Sequence, residues 1–208
     1  MEAFIRSDQF HYIQKQVGHI VQTNALINDK EMVQTVQAMA RDKMSSVFEG
    51  LTELQQRVLE GITYLEDRTD AEMFYARILP LVQSFRMPSD EEVKGLFPYL
   101  LKVKPPVLGK NVDARDMTYL SWFDPGLDRK FIVTYRDGEL VGMEGSFTYT
   151  GQKNICSICH EHEHVGLFVT DTTEFRRKGN YVCKDSIKCN QNMTTREHLY
   201  NFMDDLKR

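Results

Sequence analysis

All four cysteines of this 208-residue chain lie in its last third, as Cys156-x2-Cys159, a 23-residue gap, and Cys183-x5-Cys189. Thiolate sulfur is a soft ligand, and two cysteines three apart can wrap a tight turn around one ion while a second pair closes a tetrahedron. The spacing therefore predicts one structural zinc ion held by Cys156, Cys159, Cys183 and Cys189. Four protein ligands leave no coordination position for water or substrate, so such an ion would brace the fold and not perform chemistry. The expectation is a binding protein, not an enzyme.

Two other readings of the thiols compete. Disulfides need an oxidising compartment, and the chain opens Met1-Glu2-Ala3 with no basic region followed by an apolar run, which points to a cytoplasmic protein. Four unrelated core thiols would seldom fall into two close pairs. The five-residue spacer of the second pair is longer than usual, which leaves His160, His162 or His164 as substitutes for one of the later cysteines.

Enzyme motifs are missing from the chain. The histidines follow the first cysteine pair, whereas zinc deaminases place His-x-Glu before Pro-Cys-x-x-Cys. There is no phosphate-binding Gly-x-x-x-x-Gly-Lys-Ser/Thr, no Gly-x-Gly-x-x-Gly and no His-Glu-x-x-His. In an extended segment the run His160-Glu161-His162-Glu163-His164 would put three histidines on one face, but a lone strand offers no convergent fourth ligand. A solvent-exposed, pH-sensitive turn is the expectation there.

The elements that must position the cysteines can be read from periodicity. Residues 1–85 have apolar residues at helical spacing. Ser7-Asp8 can cap a first helix with Phe10, Ile13, Val17, Ile20 and Val21 facing inward. Asn28 and Glu31 can open a second, carrying Met32, Val33, Val36, Met39, Val47 and Phe48, and Thr52 with Gln55 a third, carrying Leu54, Val58, Ile62 and Leu65. Asp70 opens a fourth, in which Pro80 should produce a kink. Short joints between such helices predict an antiparallel four-helix bundle over 1–85.

Ser89 with Glu92 is another capping box, and Lys102-Val103-Lys104-Pro105-Pro106 reads as an extended connector. Beyond it the period changes to two. Strands are predicted over 117–123, 130–136 and 139–149, with Asp137-Gly138 as a type I′ hairpin turn, and shorter strands over 165–170 and 181–183. A closing helix from Thr194 or Thr195 presents Leu199, Phe202, Met203 and Leu206 on one face. The fold class expected is α+β: the bundle, then an α+β lobe over 86–208 with a treble-clef-like zinc finger that binds the partner. In that plan Asp185 or Ser186 caps the short helix that delivers Cys189, and Lys184 and Lys188 offset the charge of the thiolates.

Charge narrows the partner. The formal net charge is −4, with 8 Lys and Arg against 12 Asp and Glu in residues 1–85 and 18 of each in residues 86–208. This balance argues against bulk nucleic-acid binding, and no window is apolar enough to cross a bilayer. Locally, Arg176, Arg177, Lys178, Lys184 and Lys188 gather around the second cysteine pair against Glu174 and Asp185. The segment from Arg176 to Tyr181 combines cations with an aromatic on a loop stiffened by the metal, and Arg with aromatic residues is the usual anchor of protein interfaces. Phe202 belongs to the same comparison, as contact or as core.

At the level of whole motifs the chain resembles the FusB-type proteins, the elongation factor G-binding family that includes fusidic acid resistance proteins. The resemblance is densest in Lys178-Gly179-Asn180-Tyr181-Val182-Cys183-Lys184-Asp185-Ser186-Ile187-Lys188-Cys189-Asn190-Gln191, which carries the five-residue spacer. It continues in Cys156-Ser157-Ile158-Cys159, Leu199-Tyr200-Asn201-Phe202, Ser121-Trp122-Phe123, Arg129-Lys130-Phe131-Ile132-Val133 and Pro88-Ser89 leading to Lys102-Val103-Lys104. Ile155 stands where related sequences commonly carry Phe. The resemblance implies a monomer that binds elongation factor G through the zinc lobe, with Lys178, Tyr181 and Phe202 at the contact and Lys184 beside them. It implies release of the factor from fusidic-acid-stalled ribosomes, so that the ribosome is an indirect partner. The rival reading is a zinc-finger module that binds ribosomal RNA directly.

Overall fold

The computed structural model describes residues 1–27, 29–100, 103, 105–171 and 177–207. Asn28, Lys102, Lys104, Glu174 and Arg176, named above, lie outside the described residues. The chain divides into two compact units, Met1–Gln83 and Ser84–Arg208.

In the first unit, α1 (Ser7–Leu26) begins one residue earlier than a Ser7-Asp8 cap would place it. The Gln9 side chain accepts from the Arg6 amide at 3.0 Å, and the Arg6 guanidinium pairs with Asp8 at 3.0 Å. Phe10, Ile13, Val17 and Ile20 recur at three and four residues and form the buried stripe. Helix α2 (Lys30–Val47) is capped by Asp29, which accepts from the amides of Glu31 and Met32. Its buried face runs through Ala40 and Met44, so Met32 and Met39, expected inside, are each 52 % exposed. Methionine is apolar enough to suggest burial, but here Val33, Val36, Ala40, Met44 and Val47 supply the three-and-four spacing and the helix is rotated onto them.

Helix α3 (Glu53–Leu59) has the expected capping box: Gln55 N–H donates to Thr52 Oγ1 at 3.3 Å, and Thr52 N–H to Gln55 Oε1 at 2.8 Å. Helix α4 (Arg68–Ile78) opens three residues ahead of Asp70, because Asp67 caps it by accepting from the Asp70 amide at 3.0 Å. Pro80 does not kink this helix but ends it, in a single 3-10 turn over Leu79–Leu81. A proline lacks the N–H for the next helical bond and its ring crowds the preceding turn. The chain then leaves as an extended segment whose Leu81 carbonyl accepts from Phe4 and Ile5, while Gln83 donates back to Ile5. Entry and exit of the unit are thereby zipped together, above a core that includes Ile13, Ile20, Ile62, Phe74 and Ile78.

The second unit opens with α5 (Asp90–Leu96), which carries the expected Ser89 and Glu92 capping box. It then builds a five-stranded antiparallel sheet in the order β1-β2-β3-β4-β5. The strands are β1 (Tyr119–Asp124), β2 (Arg129–Arg136), β3 (Glu139–Ile155), β4 (His162–Asp171) and β5 (Arg177–Cys183). Asp137 and Gly138, with φ of 53° and 86°, make the turn between β2 and β3, in the left-handed conformation that a type I′ turn requires. Strand β3 runs past its expected end at 149, through an irregularity between Tyr149 and Lys153. Strand β4 starts at His162 and not at Val165. Both extensions are polar in sequence and were invisible to an apolar period-two pattern, yet they pair with each other.

Both faces of the sheet are covered. Phe131, Val133 and Leu120 pack with Val93 and Phe97 of α5, while Ile132, Met143 and Phe168 pack with the closing helix through Leu199, Phe202, Met203 and Leu206. Burial on both sides explains why Phe131, Ile132 and Val133 of β2 are consecutive apolar residues. The two C-terminal helices are α6 (Ser186–Asn192) and α7 (Glu197–Lys207), the latter starting after Thr195 accepts from the Glu197 amide. Among the described residues no helix is long and apolar enough to cross a membrane.

Gly138→Ala places a Cβ in the left-handed region, which costs about 1 kcal/mol. Urea unfolding followed by circular dichroism should show a lower midpoint with an unchanged slope.

Candidate metal centre

The turn after β3 carries the first two cysteines. His160 N–H donates to the Cys156 carbonyl and Cys156 N–H to that of Glu161, so the chain folds back at once into β4. Ser157 N–H donates to the Tyr181 carbonyl at 2.8 Å, which ties this turn to β5. Cys183 ends β5. Asp185 then accepts from the amides of Ile187 and Lys188, the expected cap, and the helix it starts returns Cys189 towards the turn. The five-residue spacer is long because it contains a strand end, a cap and a helical turn.

The four sulfurs lie within 4.8 Å of one another and all four residues are buried. Cys156 Sγ is 3.8 Å from Cys189 Sγ, and Cys159 Sγ is 3.7 Å from Cys183 Sγ. A tetrahedron with metal–sulfur bonds of about 2.3 Å has edges of about 3.8 Å. The amides of Ile158 and Cys183 both point at Cys156 Sγ, at 3.4 Å, as is usual around thiolate ligands. Four cysteines so arranged could hold a metal ion, and His160, His162 and His164 stand outside the cluster.

The charge balance favours a cation. Interactions with the side chains of Cys159, Cys183 and Cys189 drive the Cys156 pKa far below the thiol range, and the Cys159 pKa is lowered as well. Cys183 and Cys189 move the opposite way, first because their hydrogen bonds to Cys156 hold their protons, and also because they are buried. One anion suppresses the next at these separations, so all four can be thiolates together only around a cation.

Lys130 was not singled out by sequence reasoning, yet it lies on the same sheet face as Ile132 and is only 5 % exposed. Its Nζ sits 4.6 Å over the Phe147 ring. Burial pushes its pKa down, while Cys189, Cys183, Cys156 and Asp185 push it up. Tyr119, fully enclosed, keeps its proton because of burial and then the neighbouring Cys189. Lys184 and Lys188, expected to offset the thiolates, are exposed, and Lys184 lies 4.4 Å over the Tyr149 ring. The available signal for Lys130 was parity: it shares the inward register of Ile132 and Thr134.

The expected contact residues separate. Residues 177–181 form strand β5 and not a loop, because they pair with β4 from Val169 to Asp171 and at Leu167 and Phe168. Alternation puts Lys178 and Tyr181 on opposite faces of that strand. Tyr181 is 39 % exposed beside Leu167, whereas Lys178 Nζ reaches the Asp205 carbonyl of α7 at 3.3 Å. Phe202 is 3 % exposed and packs against Phe168 with ring centroids 6.0 Å apart, so it is core. The histidines do not share one extended face. His160 turns the chain with φ 60° and stacks on His198 of α7 at 3.6 Å, while His162 and His164 are exposed in β4 opposite Ile155 and Lys153. Burial, and then His160, lowers the His198 pKa. A hollow of about 520 Å³ lies here, bordered by Ile155, Ser157, His160, Asn180, His198 and Asp205.

Residues 4–86 match the family model described as elongation factor G-binding protein, N-terminal. No curated protein matches the chain. Among solved structures, that of the fusidic acid resistance protein FusC is similar over 99 % of this chain and 100 % of that chain, with a TM-score of 0.84 and 25 % sequence identity.

Lys130→Met should separate the metal from the fold. Removing a buried ammonium stabilises the metal-free protein, while removing a charge that faces the thiolates weakens metal binding. Denaturation with chelator present and competition titration of the metal should therefore move in opposite directions.

Proposed function

We propose that the chain belongs to the FusB-type family of elongation factor G-binding proteins, binds elongation factor G and promotes release of that factor from ribosomes stalled by fusidic acid. The observation that carries this reading is the full-length likeness to a fusidic acid resistance protein, together with the family match over the first unit. The protein is a monomeric, cytoplasmic, non-enzymatic factor, with the ribosome reached only through its partner. Residues 1–85 act as an antiparallel four-helix bundle and residues 86–208 as the lobe that docks.

In this reading Cys156, Cys159, Cys183 and Cys189 hold one zinc ion in a treble-clef-like finger. The donor set supports it: four sulfurs at tetrahedral spacing, with no other His, Cys, Asp or Glu grouped with them among the described residues. The ion supplies rigidity. Lys178, Tyr181 and Lys184 form the contact rim, and Phe202 serves it from beneath by holding α7 against β4. Release needs differential affinity: the partner must be held better in the departing conformation than in the trapped one.

Affinity for purified elongation factor G tests the reading, and no binding at micromolar concentration would overturn it. Tyr181→Ala should weaken the complex by about tenfold, and Lys178→Glu by no more than about 3 kcal/mol. Phe202→Ala should instead destabilise the lobe by about 3–5 kcal/mol, as a core truncation does. A drug-stalled ribosome assay, scored by factor released per time with and without the protein, checks the second step.

A further inference from the structure

Asn190 directly follows Cys189, and its side chain is 1 % exposed. Its Oδ1 accepts from the amides of Thr118 at 2.7 Å and Tyr119 at 3.1 Å. Its Nδ2 donates to the carbonyls of Tyr119 at 3.0 Å and Ser186 at 2.9 Å. That is the full capacity of a carboxamide, two lone pairs and two hydrogens, and three of the four bonds go to one short stretch of chain.

That stretch is where β1 begins. β1 is the first strand of the sheet and has a strand neighbour on one side only, so its other edge presents backbone groups that need partners. Asn190 supplies them at Thr118 and Tyr119. Further along the same edge, Ser186 Oγ donates to the Ser121 carbonyl at 3.2 Å. Helix α6 thus covers the sheet edge with the same turn that presents Cys189. At seven residues α6 is too short to persist alone, so these bonds, that from Asn192 Nδ2 to Glu163 Oε1 at 3.1 Å and a metal–sulfur bond help to hold it.

We propose that Asn190 is a positioning residue of the metal centre: it fixes α6 on β1 so that Cys189 reaches its vertex, and through the same bonds metal binding holds down the edge strand. The proposal rests on the reading of the four cysteines as one metal site. Metal occupancy and the integrity of β1 are then a single equilibrium, although the residues joined are 71 and 72 positions apart in the chain.

Cobalt(II) titration of the full chain tests this, because the intensity of sulfur-to-cobalt charge transfer counts the thiolates bound. Wild type should show four. Asn190→Ala should bind about 10- to 100-fold more weakly, as loss of an outer partner typically does, with the intensity of three thiolates. Hydrogen exchange at Thr118 and Tyr119 should quicken both in that variant and in wild type stripped of metal. Thr134→Val is the control: it deletes another bond to the same stretch, from Thr134 Oγ1 to the Thr118 carbonyl at 2.8 Å, without touching α6. It should keep the four-thiolate spectrum.

A folded Asn190→Ala protein with wild-type affinity and four thiolates would overturn the proposal. An equal loss in Thr134→Val would do the same, by assigning the effect to strand stability. Should Asn190→Ala not fold, Ser186→Ala carries the test: a smaller fall in cobalt affinity supports the coupling, and unchanged affinity refutes it. Wild type failing to bind cobalt through four sulfurs would remove the metal reading itself, and this proposal with it.

Discussion

Four sulfur atoms buried within 4.8 Å of one another set the constraint around which the back half of this protein is arranged. As neutral thiols they are weak hydrogen-bonding partners, and as four uncompensated thiolates they could not share a buried space. A divalent ion would resolve the conflict by turning mutual repulsion into ligation. The free energy involved, about 10–16 kcal/mol for structural zinc in small domains, matches the whole net stability of a typical domain, about 5–15 kcal/mol. Elements that would not persist alone can then be recruited: a four-residue turn, the end of an edge strand and a helix of seven residues.

The sheet is built to receive that site. β2 is buried on both faces, so its side chains divide between the α5 core and the α7 core, and besides the buried Thr134 an inward charge near the cysteines breaks the apolar pattern. Lys130 is that charge. A buried ammonium without a carboxylate partner is costly, and its cost is offset only where net negative charge lies close by. An ion held by the four cysteines and the lysine would account for each other: thiolates in excess of the ion's charge would favour the ammonium, and the ammonium would limit the charge the site must carry.

A lobe whose shape is fixed before its partner arrives would suit the proposed binding role. Preorganisation reduces the ordering cost of association, so a modest rim of exposed residues can reach useful affinity. Tyr181 beside Leu167 offers apolar surface on β5 and β4, while Lys178 and Lys184 sit at the margins. Phe202 lies in the core, where its packing against Phe168 joins α7 to β4.

Features written in short-range chemistry were legible from the chain alone. The Thr52–Gln55 and Ser89–Glu92 boxes, the Asp185 cap, the Asp137-Gly138 turn and the cysteine spacing each depend on residues a few positions apart, and each is where its residue types require. The rotation of α2 that leaves Met32 and Met39 outside, the polar extension of β3 to Ile155, the strand that absorbs Lys178 and Tyr181, and the stacking of His160 on His198 were not legible. Each depends on which surface arrives opposite, and local sequence does not name it. By itself the sequence determined that four thiols would meet, because ligand type and spacing are local properties. Only the tertiary structure decided that Lys130 lies beneath the thiols and that Asn190 joins their helix to the sheet edge, because a buried charge or amide takes its meaning from partners that folding brings from far along the chain.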